Sequence, residues 1–115
     1  MLRNLICSAA LLLAGCASQA LGAATNPIIW ADVPDVSVVR VDDTYYMVST
    51  TMHMSPGQPI MASKDLVDWK IVSYTHDILA DNDALNMQNG RNAYSRGTWA
   101  SSIRYHDGYV IATTF

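Results

Sequence analysis

The sequence contains no glutamate. All ten of its acidic residues are aspartates, so any acid–base chemistry carried by a carboxyl group rests on Asp alone. Cysteine is almost as scarce. Cys7 and Cys16 both fall near the start, so the rest of the chain can form no internal disulfide and must be stabilised by packing. Clustered cations are missing too: beyond Cys16, Arg40, Lys64, Lys70, Arg91, Arg96 and Arg104 stand singly against ten aspartates, a formal balance of −4. That argues against nucleic acid as a partner, because phosphate neutralisation needs cations side by side, and it suits an uncharged substrate. His53, His76 and His106 show no metal-ligand spacing, and no cysteine accompanies them. The apolar run from Leu5 to Leu13 is shorter than the ~20 residues of a spanning helix.

That run has another reading. Arg3 supplies a positive n-region, Leu5 to Leu13 an apolar h-region, and small residues follow, which is the layout of a secretory signal. Leu13-Ala14-Gly15-Cys16 resembles a bacterial lipoprotein box, in which Cys16 is lipidated and becomes the mature N-terminus; cleavage nearer Ala23 or Ala24 would instead leave a soluble exported protein. Residues 1–24 are therefore set apart as a leader of lipoprotein type. Residues 25–115 are the expected domain.

Four strand-like runs follow, Val36 to Val41, Thr44 to Thr50, Pro59 to Ser63 and Trp69 to Thr75. Turn chemistry separates them at Asp42-Asp43, Ser55-Pro56-Gly57 and Lys64-Asp65. Four short antiparallel strands make one propeller blade. His76 to Gly97 is polar and without strand period, which predicts a long connecting loop with one helical turn near Ala84 to Met87. From Thr98 the strand pattern resumes, and Ser102 to Val110 repeats the first hairpin, with Arg104 standing 64 positions after Arg40. The expected fold is all-β, about one and a half blades. Such arrays bury their faces only against neighbouring blades and need about three repeats, so the chain is expected to be the N-terminal piece of a longer protein.

Asp35 follows Pro34 and precedes the first strand, the innermost of a blade, where side chains face the central channel. A carboxylate there could take a proton from water. Equally, an Asp beside Pro commonly accepts backbone hydrogen bonds at a turn.

The run Asn26 to Arg40 with Asp43-Thr44-Tyr45-Tyr46 resembles the opening of glycoside hydrolase family 43, five-bladed propeller enzymes that include β-xylosidases and α-L-arabinofuranosidases. Ser63-Lys64-Asp65-Leu66-Val67-Asp68-Trp69 resembles the family's Ser-x-Asp-Leu-x-x-Trp run, and Gly97 to Gly108 the start of its second blade. Three matches in register are specific; the Ser-x-Asp run alone is shared with other propeller glycosidases.

By that resemblance Asp35 is the general base that activates water at the anomeric carbon, in an inverting mechanism whose acid and base stand ~6.5–9.5 Å apart. The family's acid is a glutamate on a later blade, so this stretch alone is expected to be inactive. Trp99 matches a tryptophan lining the sugar pocket; a core aromatic between blades is the alternative. Met52-His53-Met54 replaces the Phe, Glu and Trp of many β-xylosidases, with Met52 as an adaptable pocket wall and His53 as readily a plain loop histidine. Asp32 is expected to be structural. Ser101 stands for the usual proline and restores an amide donor. The resemblance assigns no cofactor with certainty; calcium, which occurs in the channel of some relatives, is the candidate for the intact propeller, with any ligands expected downstream. The implied function is hydrolysis of xylan- or arabinan-type glycans, with an oligosaccharide or polysaccharide as partner and a membrane only through the lipid anchor. The rival is a carbohydrate-binding propeller without catalysis.

Overall fold

The computed structural model describes residues 24–114, so residues 1–23 of the leader, Cys16 among them, lie outside the described residues. All regular structure within them is strand: β1 Ser37–Val41, β2 Thr44–Val48, β3 Gly57–Ser63, β4 Lys70–His76, β5 Ser101–His106 and β6 Tyr109–Thr114. β1 to β4 form one antiparallel sheet in chain order, and β5 with β6 form a separate hairpin. The architecture is one four-stranded blade followed by the first hairpin of a second.

Local chemistry accounts for the first hairpin. In β1 the side chains of Ser37, Val39 and Val41 are half-buried while Val38 and Arg40 are exposed, the period-2 pattern of a strand with one covered face. Val41 pairs with Thr44 across Asp42-Asp43. Asp42 adopts a φ of 52°, a left-handed state that Asp tolerates better than most residues, and the Arg40 Nε donates to its carbonyl at 2.9 Å. In the second hairpin Asp107 and Gly108 both have positive φ, 47° and 86°, as a two-residue type I′ turn requires. Counted from the turns, the two hairpins lie one residue further apart than the two arginines. Arg40 and Tyr45 form the second pair from their turn, but Arg104 and Ile111 form the third from theirs. A one-residue shift places a side chain on the opposite face, so the two arginines are not structural equivalents.

The core lies between the blade and β5. Val48 and Ile103 have no exposed surface, and the Ile103 amide donates to the Ser37 Oγ at 3.3 Å. Burial of each such apolar side chain contributes ~1.5–3 kcal/mol. On the other face, Val38, Met47, Met61 and Ile71 stand opposite one another in successive registers. The two methionines are buried, whereas Val38 and Ile71 remain exposed.

Several strand limits differ from expectation: β1 starts at Ser37 and not Val36, β2 ends at Val48 and not Thr50, and β4 ends at His76 and not Thr75. β3 begins at Gly57, two residues before Pro59, because Gly57 pairs with His76 and extends the ladder. β4 begins at Lys70 because Trp69 belongs to the preceding turn, where its Nε1 donates to the Leu66 carbonyl at 3.1 Å. Within that turn the Ser63 Oγ accepts the amides of Asp65 and Leu66 at 3.2 and 2.9 Å, and the Asp65 Oδ1 accepts those of Val67 and Asp68 at 2.9 and 2.8 Å. The Ser-x-Asp-Leu-x-x-Trp run is thus a self-capping turn. Near Ala84 to Met87 the chain makes turns and no helix. Asn82 holds them by accepting the Leu85 amide on its Oδ1 and the Asn86 amide on its carbonyl, both at 3.0 Å.

Candidate active site

Asp35 sits two residues ahead of β1 with a φ of 53°. This is a backbone state uncommon outside glycine. The chain just before it is pinned, since the Thr50 amide donates to the Pro34 carbonyl at 3.1 Å. The Asp35 side chain is exposed, with neither an ion pair nor a hydrogen bond to the described residues.

The segment after β2 and the approach to β5 lie side by side. Gly97 donates from its amide to the Met52 carbonyl at 3.0 Å, and Thr98 from its amide to the Thr51 carbonyl at 2.9 Å. Glycine is required at 97 by space: a Cβ there would overlap the Thr51 carbonyl oxygen and lie 2.7 Å from the Met52 carbonyl carbon. This pairing brings Met52 and Trp99 to Asp35. The three line one hollow of about 80 Å³ together with Thr50, Ser95 and Thr98. That volume is small against the ~300–1,000 Å³ of complete ligand sites.

Trp99 is 64% exposed, which sets it apart from the core between blade and hairpin. Thr50 is buried, and its Oγ1 has no hydrogen-bond partner among the described residues. A buried hydroxyl without a partner marks a place where water or a ligand would bond. Sequence reasoning missed Thr50, Ser95 and Thr98. Thr98 had a visible signal in its position between Gly97 and Trp99; the other two had none.

Asp32 does not join this group. It lines a larger open hollow of about 440 Å³ with Ile29, Met61, Ile71 and Tyr74, on the blade face that carries the exposed Ile71. That hollow is the uncovered flank of a blade, which a neighbouring blade would close. His53 lies there too, its ring 6.3 Å from that of Tyr94. Among the described residues no three His, Cys or Asp side chains gather as metal ligands.

The shifted carboxyls belong to turns. The Asp65 carboxyl is held below its ordinary value of 3.8 by the amides of Asp68 and Val67 and by the Ser63 hydroxyl. That of Asp43 is lowered by its hydrogen bond with Lys64, 2.6 Å away, and by the Thr44 hydroxyl.

Residues 24–115 match the profile of glycosyl hydrolases family 43. The chain belongs to that family. It is 44% identical over 90 residues to a beta-xylosidase of Formosa agariphila, a stretch that is 78% of this chain and 15% of that protein. To a non-reducing end alpha-L-arabinofuranosidase of Bacteroides ovatus it is 41% identical over 92 residues, 78% of this chain and 17% of the relative. Among solved structures, a bifunctional GH43-CE protein of Bacteroides eggerthii matches with a TM-score of 0.68 and 60% identity, over 80% of this chain and 12% of that one. This chain thus spans less than a fifth of each relative. Its sheet and hairpin are the opening portion, about one and a half blades, of the family 43 five-bladed β-propeller.

Proposed function

We propose that the protein of which this chain is part hydrolyses O-glycosidic bonds, releasing xylose or arabinose units from xylan- or arabinan-type glycans with inversion of configuration. The observation that carries the reading is the meeting of Asp35 and Trp99 in one hollow. An exposed carboxyl group beside an aromatic ring is the arrangement a sugar site needs. The ring covers an apolar sugar face, and the carboxylate takes a proton from the water that attacks the anomeric carbon. Met52 supplies a second, adaptable wall. The Thr50 hydroxyl, lacking a partner, offers a hydrogen bond to the attacking water or to a sugar hydroxyl.

The acid that protonates the leaving oxygen would come from beyond these residues, ~6.5–9.5 Å from Asp35. The relatives named above, a xylosidase and an arabinofuranosidase, favour pentose glycans as substrates. The leader at 1–24 would carry the protein out of the cytoplasm, with Cys16 as its lipid attachment.

The test is Asp35→Ala in the full-length protein. Release of nitrophenol from xyloside and arabinofuranoside substrates is expected to fall ~10²–10⁴-fold, with sugar binding by calorimetry retained. Undiminished turnover would remove Asp35 from the mechanism. A wild-type protein that binds these sugars and turns none over would be the carbohydrate-binding propeller instead.

A further inference from the structure

Gln58 is 1% exposed and carries a positive φ of 54° near the start of β3. An apolar residue of similar length would fill the same volume without a polar group to satisfy. The amide is nonetheless fully engaged at both ends. Its Nε2 donates to the Trp99 carbonyl at 3.3 Å and to the Ser101 Oγ, and its Oε1 accepts from the Thr75 Oγ1 at 2.6 Å. Because the Trp99 carbonyl can only accept, the nitrogen end of the amide must face it. The backbone is tied as well, the Gln58 amide donating to the Thr51 Oγ1 at 3.0 Å. One side chain on β3 therefore joins β4, through Thr75, to the residues entering β5, through Trp99 and Ser101.

The Trp99 carbonyl is a point of convergence, accepting also from the Ser101 Oγ at 3.3 Å and the Thr114 Oγ1 at 3.4 Å. Its ring, by contrast, makes no hydrogen bond, aromatic or cation–π contact with the described residues. Where the indole stands is set by its own backbone. Of the three groups that hold that carbonyl, only Gln58 is anchored in the buried interior of the preceding blade; on the N-terminal side of Trp99, Thr98 is tied to the same blade through Thr51. The other two, Ser101 and Thr114, belong to the β5–β6 hairpin that Trp99 leads into.

We propose that Gln58 is a positioning residue for the sugar site: where the Thr51–Thr98 pairing holds the N-terminal side of Trp99, Gln58 fixes its carbonyl against the first blade, and so sets the distance of the indole wall from Asp35. This rests on the reading of Trp99 as a wall of that site. Asp35 is held separately, through the Thr50–Pro34 bond, so loss of the Gln58 amide moves the wall and leaves the base in place.

In the full-length protein, kcat and KM on nitrophenyl xyloside and arabinofuranoside are to be compared for wild type, Gln58→Met, Trp99→Ala and the double variant. Gln58→Met keeps the length of the side chain and removes both ends of the amide. It is expected to raise KM about tenfold with kcat changed less than about threefold, as for loss of binding shared by ground and transition states. In the Trp99→Ala background it should change KM by less than about twofold, since the two residues act as one unit. An unchanged KM in Gln58→Met, or the same rise in both backgrounds, overturns the proposal.

A readout independent of turnover is the fluorine resonance of protein labelled with 5-fluorotryptophan, the Trp99 line being the one lost in Trp99→Ala. That line should shift or broaden in Gln58→Met, and a line that stays in place overturns the positioning role. If wild type hydrolyses neither glycoside while the line does move, the hydrolase reading fails and the positioning role stands. Should Gln58→Met not fold, Thr75→Val frees the amide at its other end, with a smaller change expected in the same direction in both KM and the Trp99 line. No change in either would equally overturn it.

Discussion

Thr51 and Thr98 are bonded to each other three times. The Thr51 amide donates to the Thr98 Oγ1 at 2.9 Å, and the Thr51 carbonyl accepts both the Thr98 hydroxyl at 3.1 Å and the Thr98 amide at 2.9 Å. Both residues are buried. The residues lie 47 positions apart in sequence, and their clasp sets the end of the first blade beside the start of the second. Met52 and Trp99, one step beyond each, thereby face the same hollow as Asp35.

Thr98→Val keeps the shape of the side chain and removes one acceptor and one donor. The Thr51 amide is then left buried without its partner, which costs ~1–3 kcal/mol. The midpoint of denaturant unfolding of the full-length protein should fall accordingly, with an unchanged slope. Thr98→Ser, which retains the hydroxyl, should recover most of the loss. Equal stability of the Val and Ser variants would show that the clasp contributes only through packing.

Gly97→Ala strikes the same junction through space instead of hydrogen bonding. The added Cβ meets backbone atoms of Thr51, Met52 and His53, none of which can swing aside as a side-chain tip would. Overpacking of this kind costs ~1–3 kcal/mol where side chains can yield, so the loss should reach the upper end of that range or exceed it. Gly90→Ala is the control without a steric clash, since a Cβ there meets nothing within 4 Å; its positive φ of 69° alone costs ~1–2 kcal/mol. Denaturant midpoints of the two variants, measured together, check the ranking.

How far the molecule could be read in advance depended on the reach of each interaction. The hairpin turns at Asp42-Asp43 and Asp107-Gly108 announce themselves because their chemistry lies within two residues, and the alternation of β1 because one face is covered. Gln58 was invisible. Its partners Thr75, Trp99 and Ser101 stand 17, 41 and 43 positions away, and nothing local separates it from a surface glutamine in a loop. The hollow lies between these cases: Asp35, Met52 and Trp99 came from family resemblance rather than from spacing, and the Thr51–Thr98 clasp that unites them has no local signature. The arginines are a poor marker of the offset between the hairpins, since they stand at different steps from their turns. The turns, which the backbone must make, are the firmer one.

The turn built by Ser63 and Asp65 gives a prediction with a definite sign in pH. Folding lowers the Asp65 carboxyl below 3.8, first through the Asp68 amide, then the Val67 amide and the Ser63 hydroxyl. A group whose folded value is depressed contributes stability above its unfolded value and loses it as pH falls through the folded one. Asp65→Asn keeps an acceptor oxygen but lacks the charge. The full-length variant should therefore be less stable than wild type near pH 6, and the gap should narrow steadily below pH ~4. The Asp43 carboxyl is likewise lowered, by Lys64, but it is present in both proteins and its effect cancels in the difference. Denaturant unfolding of both proteins across that range measures the gap. One that widened in acid would mean that the carboxylate is not favoured by the folded turn, and the capping role of Asp65 would have to be abandoned.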